Sequence, residues 1–430
     1  MIDKLRIIRK NEFFQNVVDL FTGNAISQGI TLLSIPILTR IYSPEEFGVV
    51  ALFIGFINVL AVASNGRYDM AIVLPKKNGE AFHILVGSIV VSFVFSGLSL
   101  IFIYIFYNKL VALFGANAYR SIVWLIPLCV FLVGSHKSLY YWFSRTRSFK
   151  FMGNTRIVQS AGQTGVRLGH DIFSNGHWGL AIGFIVGEVL SWGMLIIKIF
   201  RKEFWRFKYI SLKSTIKSLK EYYNFPLFLM PMGVLNSFAV YLLIFALSLV
   251  TTSTMVGHYE RAWRVINFPL SIISASFGSV FYEKMNRTEN RHRFYIYSYL
   301  GNLLLASIIL FPVAIWGESI FGFILGSDWA IAGRIARVIL PLTIFSYATE
   351  CISTIFSVVK RNQLLLIWQI VYLIFAVGWI YISKEIDLFL VLKIYSIGGA
   401  FLYAFLALIG YFQIGENKRV LNLFSFYNAE

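Results

Sequence analysis

At 430 residues, with 57% of them hydrophobic and only 14% charged, the composition excludes a soluble globular domain, in which charged residues approach a quarter. Lys and Arg number 38 against 21 Asp and Glu, a formal charge of +17. Those basic residues sit between apolar runs instead of covering one solvated face, which excludes a nucleic-acid binder.

In chain order, the first sixteen residues carry Lys4, Arg6, Arg9 and Lys10 and are too polar for the apolar stretch of a signal peptide. No small-residue cleavage site follows, so the first apolar run is expected to be an uncleaved anchor. A spanning helix needs about 20 mostly apolar residues. Twelve runs meet that length: 17–39, 45–65, 81–106, 119–141, 149–173, 178–199, 222–250, 256–282, 295–316, 331–359, 364–382 and 388–412. The predicted fold is an all-α polytopic membrane protein, and an even number of spans puts both termini on one side.

Lys and Arg in short loops are retained in the cytoplasm. With a cytoplasmic N-terminus, the inner segments hold twenty-seven basic residues, eight of them within 198–220, and the outer side holds four: Arg40, Lys109, Arg120 and Lys384. Loops near Thr252, Asp328 and Asn175 hold none. Both termini are therefore expected in the cytoplasm. Trp142 and Trp205 on the inside, and Trp178, Trp316 and Trp329 on the outside, fall where an interfacial aromatic belt would put them.

The chain also repeats itself. Ile126-Pro-Leu-Cys-Val-Phe131 in the fourth run matches Leu340-Pro-Leu-Thr-Ile-Phe345 in the tenth, and Gly48 entering the second run stands 209 residues before Gly257 entering the eighth. Six spans per repeat give both halves the same orientation, an arrangement of parallel pseudo-repeats related by an axis along the membrane normal. The expected division is an N-terminal lobe of 1–209 and a C-terminal lobe of 210–430. The basic segment 198–220 reads as the linker, contacting anionic lipid.

Seven basic residues fall inside runs: Arg156, Arg167, Arg261, Arg264, Arg334, Arg337 and Lys393. Charge at membrane depth is costly unless it faces a protein interior or a watery cavity. In the fifth run Arg156, Gln159, Gln163, Arg167 and His170 share one helical face, flanked by Ser160, Thr164 and Asp171. In the eighth, Glu260, Arg264, Asn267, Ser271 and Ser274 do the same, with Arg261 alongside and Glu260 spaced to pair with Arg264. The first run offers a neutral stripe of Asn24, Gln28 and Thr31, and the sixth buries Glu188. Together these predict a hydrated cavity with a net positive lining. The competing reading is snorkelling from run ends, open to Arg156, Arg167, Arg261, Arg334 and Arg337, with Lys393 interfacial. Glu188 and mid-run Glu350 read either as salt-bridge partners or as ion-coupling groups.

Other chemistry lacks its signatures. There is no phosphate-binding Gly-x-x-x-x-Gly-Lys-Ser/Thr loop and no Gly-x-Ser-x-Gly nucleophile turn. Six histidines form no metal-ligand spacing and read as interfacial, and Cys129 and Cys351 read as packing residues.

The stretch Asn24-Ala-Ile-Ser-Gln-Gly-Ile-Thr-Leu-Leu-Ser-Ile-Pro-Ile-Leu-Thr-Arg40, the following Ile-Tyr-Ser-Pro-Glu-Glu-Phe-Gly48, and Arg67-Tyr-Asp-Met-Ala-Ile-Val-Leu-Pro-Lys76 resemble the start of the bacterial polysaccharide-biosynthesis flippases. These are the Wzx-type lipid-linked oligosaccharide translocases of the MOP exporter superfamily, kin to the MATE drug exporters. The resemblance implies a V-shaped pair of six-helix bundles in the bacterial inner membrane. It further implies a flippase moving an undecaprenyl-diphosphate-linked O-antigen or capsule unit from the cytoplasmic to the periplasmic leaflet by alternating access. Membrane lipids, a polysaccharide polymerase and glycosyltransferases are the implied partners; no cofactor is expected beyond H+ or Na+ coupling, for which Glu188, Glu260 and Glu350 are the candidates. Substrate contacts are assigned from the faces above, to Arg156, Arg167, Arg261, Arg264, Gln159, Gln163, Asn24, Gln28 and Asn267. Two rivals stand beside this: a MATE-like ion-coupled small-molecule exporter, and a non-transporting membrane partner of polysaccharide enzymes.

Overall fold

The computed structural model describes residues 12–114, 117–173, 178–359, 361–382 and 387–425. Its long helices are α1 (Glu12–Ile41), α2 (Pro44–Ser64), α3 (Asn78–Phe114), α4 (Ile126–Arg145), α5 (Phe149–Phe173), α6 (Gly179–Phe207), α7 (Met230–Val250), α8 (Ser253–Arg287), α9 (Arg291–Leu325), α10 (Ala330–Ile352), α11 (Asn362–Ile382) and α12 (Leu388–Ser425). Among the described residues there is no strand, and ten helical stretches are long and apolar enough to cross a membrane. The chain is a multi-pass membrane protein. α5 and α8, at 25 and 35 residues, fall outside those ten because their polar faces lower their hydropathy. Lys4, Arg6, Arg9, Lys10, Lys360, Lys384 and the loop around Asn175 lie outside the described residues, as do the side chains of His170, Asp171, Lys418 and Arg419.

Contacts divide the chain into two compact units, Met1–Ser248 and Leu249–Glu430. In the first, α5 packs between α1 and α6, and α4 packs on α2, α3 and α6. The α1–α5 contact is backbone to backbone: a Cβ on Gly23 would stand 2.3 Å from the Cα of Gly153. Without a solvent-driven hydrophobic effect between helices in lipid, such small-residue approaches supply the packing. α7 clusters with this unit, its Tyr241 hydroxyl taking a hydrogen bond from Asn58 Nδ2 at 3.0 Å and its Phe245 ring lying 4.8 Å from Phe56.

One end of the first unit gathers basic segments. Arg145, closing α4, donates to the carbonyls of Ile72, Val73 and Lys76, so it organises the α2–α3 connection. That connection turns through two left-handed residues, Gly66 (φ 58) and Arg67 (φ 57), the second with its N–H on Asn65 Oδ1. It continues as the single helical turn Tyr68–Ala71, with Asp69 buried. Burial pushes the Asp69 carboxyl above the usual carboxylate range, opposed by the charges of Arg67 and Lys137.

The second unit repeats part of the packing of the first. Its α8–α10, α9–α10 and α10–α12 pairs answer to α2–α4, α3–α4 and α4–α6. The helix starts repeat as well. Ser43 caps α2 in a capping box with Glu46, its hydroxyl accepting from the Glu46 N–H, and Thr252 caps α8 by accepting from the Met255 N–H. These caps are the same 209 residues apart as Gly48 and Gly257.

Four expectations change. Trp142 and Trp329 are fully buried, not interfacial: Trp142 packs edge-on against Phe82 at 5.3 Å, and Trp329 against His258 at 5.5 Å. His136 and His258 are buried too, the first beside the Ser191 hydroxyl and the second against the Trp329 ring. The tenth run is interrupted after Ile352 and resumes as the short turn Ile355–Val358, which leaves Glu350 exposed in the last turn of α10, not at mid-span. The segment 198–220 is largely helical: α6 continues to Phe207, and a separate helix, Leu212–Glu221, follows.

Candidate functional site

The site in the first unit is set by how closely α6 approaches α5. Gly183 and Gly187 face the α5 backbone, where an added Cβ would meet the carbonyl oxygens of Gln163 and Gln159 at 2.8 Å. That proximity brings Glu188 beside Gln159, whose Nε2 donates to Glu188 Oε1 at 2.5 Å. Glu188 is buried, and its Oε2 has no hydrogen-bond partner among the described residues. Behind it, on the α4 side, His136 Nε2 lies 3.0 Å from Ser191 Oγ, and Trp192 Nε1 donates to Ser135 Oγ at 2.9 Å. A carboxyl with one open oxygen in a polar, protein-enclosed setting can take up or release a proton.

The two α5 arginines are held differently. Arg167 Nε donates to the Leu180 carbonyl at 3.2 Å, and its Nη1 and Nη2 donate to the Gln163 amide oxygen at 3.0 and 2.6 Å when that amide is turned toward them. Its own carbonyl accepts from the Tyr42 hydroxyl at 2.6 Å. Arg156 is exposed, its guanidinium 5.1 Å from the Tyr140 ring centre, with no carboxylate in ion-pair range among the described residues. The α1 stripe contributes a half-buried Asn24 and an exposed Gln28.

In the second unit the α8 face is an ion triad. Glu260 is buried between Arg261 Nε, 2.7 Å from Oε2, and Arg264 Nη2, 2.5 Å from Oε1. The Arg261 side chain is 10% exposed and that of Arg264 46%, so Arg264 is the member a ligand can reach. Asn267 turns its amide onto the Trp263 carbonyl at 2.9 Å. Arg334 stacks 4.2 Å from the Phe389 ring centre, and Arg337 lies 3.6 Å from Glu318. A tyrosine layer not anticipated from the polar stripes lies on α11 and α12, where Tyr372 and Tyr395 share a 2.8 Å hydroxyl contact and Tyr403 packs on Trp368 at 4.7 Å. Its signal is present as Trp368, Tyr372 and Phe375 at helical spacing.

A model of the polysaccharide biosynthesis protein family matches residues 37–334, which takes in both polar helices. The chain belongs to that family. A relative from Haloferax volcanii, described as the probable low-salt glycan biosynthesis flippase Agl15, is 20% identical over 342 residues, 75% of this chain and 67% of its own. Among solved structures, an inward-facing MATE family transporter of the MOP superfamily superposes with a TM-score of 0.68 at 16% identity, covering 96% of this chain and 100% of that one. A MOP superfamily transporter from Pyrococcus furiosus, described as having a binding pocket of reversed polarity, superposes at 0.61 with 18% identity, covering 94% and 96%. This family member therefore has the MATE-like fold of the MOP superfamily.

Proposed function

We propose that this polysaccharide biosynthesis protein is a flippase for undecaprenyl-diphosphate-linked oligosaccharide, carrying an O-antigen or capsule unit from the cytoplasmic to the periplasmic leaflet of a bacterial inner membrane by alternating access. The observation that carries the reading is the α5 face, where Arg156 and Arg167 place two guanidinium groups on one helix packed between the apolar spans α1 and α6. Guanidinium is suited to bidentate contact with phosphate and carboxylate oxygens. The family match, the Haloferax volcanii relative's description as a probable flippase and the reversed pocket polarity described for the Pyrococcus furiosus protein support a cationic site over a cationic-drug exporter. The gathering of basic segments at one end of the first unit supports cytoplasmic termini.

Of the three carboxylates considered for coupling, Glu260 is engaged by two arginines and Glu350 is exposed near a helix end, so we assign coupling to Glu188. The test is complementation of a flippase-deficient strain, with surface polysaccharide and membrane level both measured. Arg156→Ala and Arg167→Ala should abolish export at normal protein level. Normal surface polysaccharide in both variants would overturn the reading. A flip assay with lipid-linked sugar in proteoliposomes separates it from a drug exporter and from a non-transporting partner of polymerase and glycosyltransferases.

A further inference from the structure

The helix Leu212–Glu221 between α6 and α7 divides its surface into three stripes. The first is docked on the protein. Thr215 and Ser218 are buried, His83 Nδ1 of α3 lies 3.2 Å from Thr215 Oγ1, and the Leu219 methyls fill the space above Gly87, where an added Cβ would meet Cδ1 at 2.9 Å. The second stripe is apolar and uncovered: Leu212 is 77% exposed and Ile216 44%. The third is Lys213, Lys217 and Lys220, all exposed. At 3.6 residues per turn the lysines follow Leu212 and Ile216 around the helix on the side away from the docked face. A helix with an apolar strip bordered by lysines has the cross-section of one lying in the plane of a bilayer surface.

We propose that this helix is a recognition site for the anionic headgroups of the phospholipid leaflet, with Lys213, Lys217 and Lys220 on phosphate oxygens and Leu212 and Ile216 at the top of the acyl layer. Charge complementarity selects the occupant. Within the helix only Glu221 opposes three lysines, and an anionic leaflet attracts juxtamembrane basic residues while a zwitterionic one does not. The flanking segment agrees, since Phe204 and Trp205 before it are exposed where an interfacial belt would place aromatics.

The docked stripe gives the contact a mechanical consequence. The Tyr68 hydroxyl donates to the Leu219 carbonyl at 3.2 Å, and Tyr68 directly follows the left-handed pair Gly66 and Arg67. Pro226, at the entry to α7, stands 3.6 Å from where a Gly66 Cβ would be. Lipid bound on one side of the helix is thus joined through Leu219 and Tyr68 to the turn that also touches the start of α7.

The experiment is titration of the purified, delipidated full chain with phosphatidylglycerol and phosphatidylcholine, read by native mass spectrometry. The wild type should retain phosphatidylglycerol over phosphatidylcholine. Lys213→Gln, Lys217→Gln and Lys220→Gln together should weaken phosphatidylglycerol retention, by roughly fivefold per lysine from the attraction of one basic residue to an anionic surface. The triple Arg variant at the same positions should retain it, which separates charge from folding. Removing equal charge from the second unit, at Lys284, Arg287 and Arg291, should cost less retention. Wild-type retention in the triple Gln variant, an equal loss in the second-unit variant, or displacement of the lipid by millimolar inorganic phosphate would each overturn the proposal.

Discussion

Glu260 is the most consequential single charge in the second unit, because it is buried and neutralises Arg261, whose side chain is only 10% exposed. Glu260→Gln keeps the shape and one acceptor oxygen but removes the charge, leaving a buried guanidinium without a counter-ion. Breaking a buried pair from one side costs about 3–5 kcal/mol, and the retained acceptor places this variant near 3 kcal/mol. For a folding unit of about 150–250 residues each kcal/mol moves the melting midpoint by roughly 2–4 °C, so the second unit should melt roughly 6–12 °C lower. Arg264→Ala should behave differently. With 46% of its side chain exposed, its ion pair is screened and contributes about 0–1 kcal/mol. The double variant Glu260→Gln/Arg261→Met removes both buried charges and should recover most of the loss, since replacing a whole buried pair by apolar groups is near neutral. Thermal unfolding of the full chain in one detergent at one scan rate, followed by intrinsic fluorescence, reads all three. An Arg264→Ala loss as large as that of Glu260→Gln, or a double variant no more stable than the single, would refute the assignment of Arg261 as the buried, dependent partner.

Other outcomes follow from helix packing, caps and one buried carboxyl. Gly187→Ala should cost about 1–3 kcal/mol by overpacking, because its Cβ would meet the Gln159 carbonyl at 2.8 Å, whereas Gly193→Ala on the same helix meets nothing within 4 Å and should be neutral or stabilising; paired melting curves compare them. Ser43→Ala and Thr252→Ala should each lose about 1 kcal/mol of cap stabilisation, and equal stability of Ser43→Ala and wild type would remove the capping box from the account of α2. Asp69 carries a pH signature. Its carboxyl is raised by burial, so the stability it contributes is full below the ordinary Asp value of 3.8 and is lost as pH rises through the raised one. Asp69→Asn lacks that loss, so its advantage in melting midpoint over wild type should grow from about pH 4 to pH 7; a constant difference would mean Asp69 titrates normally.

How much of this could be read from residues alone depends on what each feature needs. Span positions follow from runs of about 20 apolar residues, and α5 and α8 were legible as the odd helices because their polar residues recur on one face. The 209-residue offset at Gly48 and Gly257 foreshadowed the repeated caps at Ser43 and Thr252 and the repeated helix pairs. Burial was not legible. Trp142 and His136 sit where interfacial residues sit, and only the packing of α3 and α6 against α4 encloses them. Nor could a stripe distinguish Arg261 from Arg264: the positions differ by less than one helical turn, yet one faces the unit's interior and the other does not. The docking of Leu212–Glu221 depends on His83 and Gly87, more than a hundred residues away, so its sequence showed a basic segment but not which face stays open.

That difference between arginines orders the substrate contacts proposed above. Arg264 shares Glu260, so part of its attraction for an anion is already spent on a carboxylate 2.5 Å away. Arg156 stacks on the Tyr140 ring at 5.1 Å and, among the described residues, has no carboxylate within ion-pair distance; the ring contact orients a guanidinium without neutralising it and adds about 0.5–1 kcal/mol at an exposed site. Its charge is therefore the more available to a diphosphate. In proteoliposomes with lipid-linked sugar, Arg156→Ala should slow flipping more than Arg264→Ala. Arg156→Lys should recover only part of the rate, because an ammonium keeps the charge but not the planar, ring-stacked fork that meets two oxygens at once. Full activity of Arg156→Ala alongside loss in Arg264→Ala would move the anion site from α5 to α8.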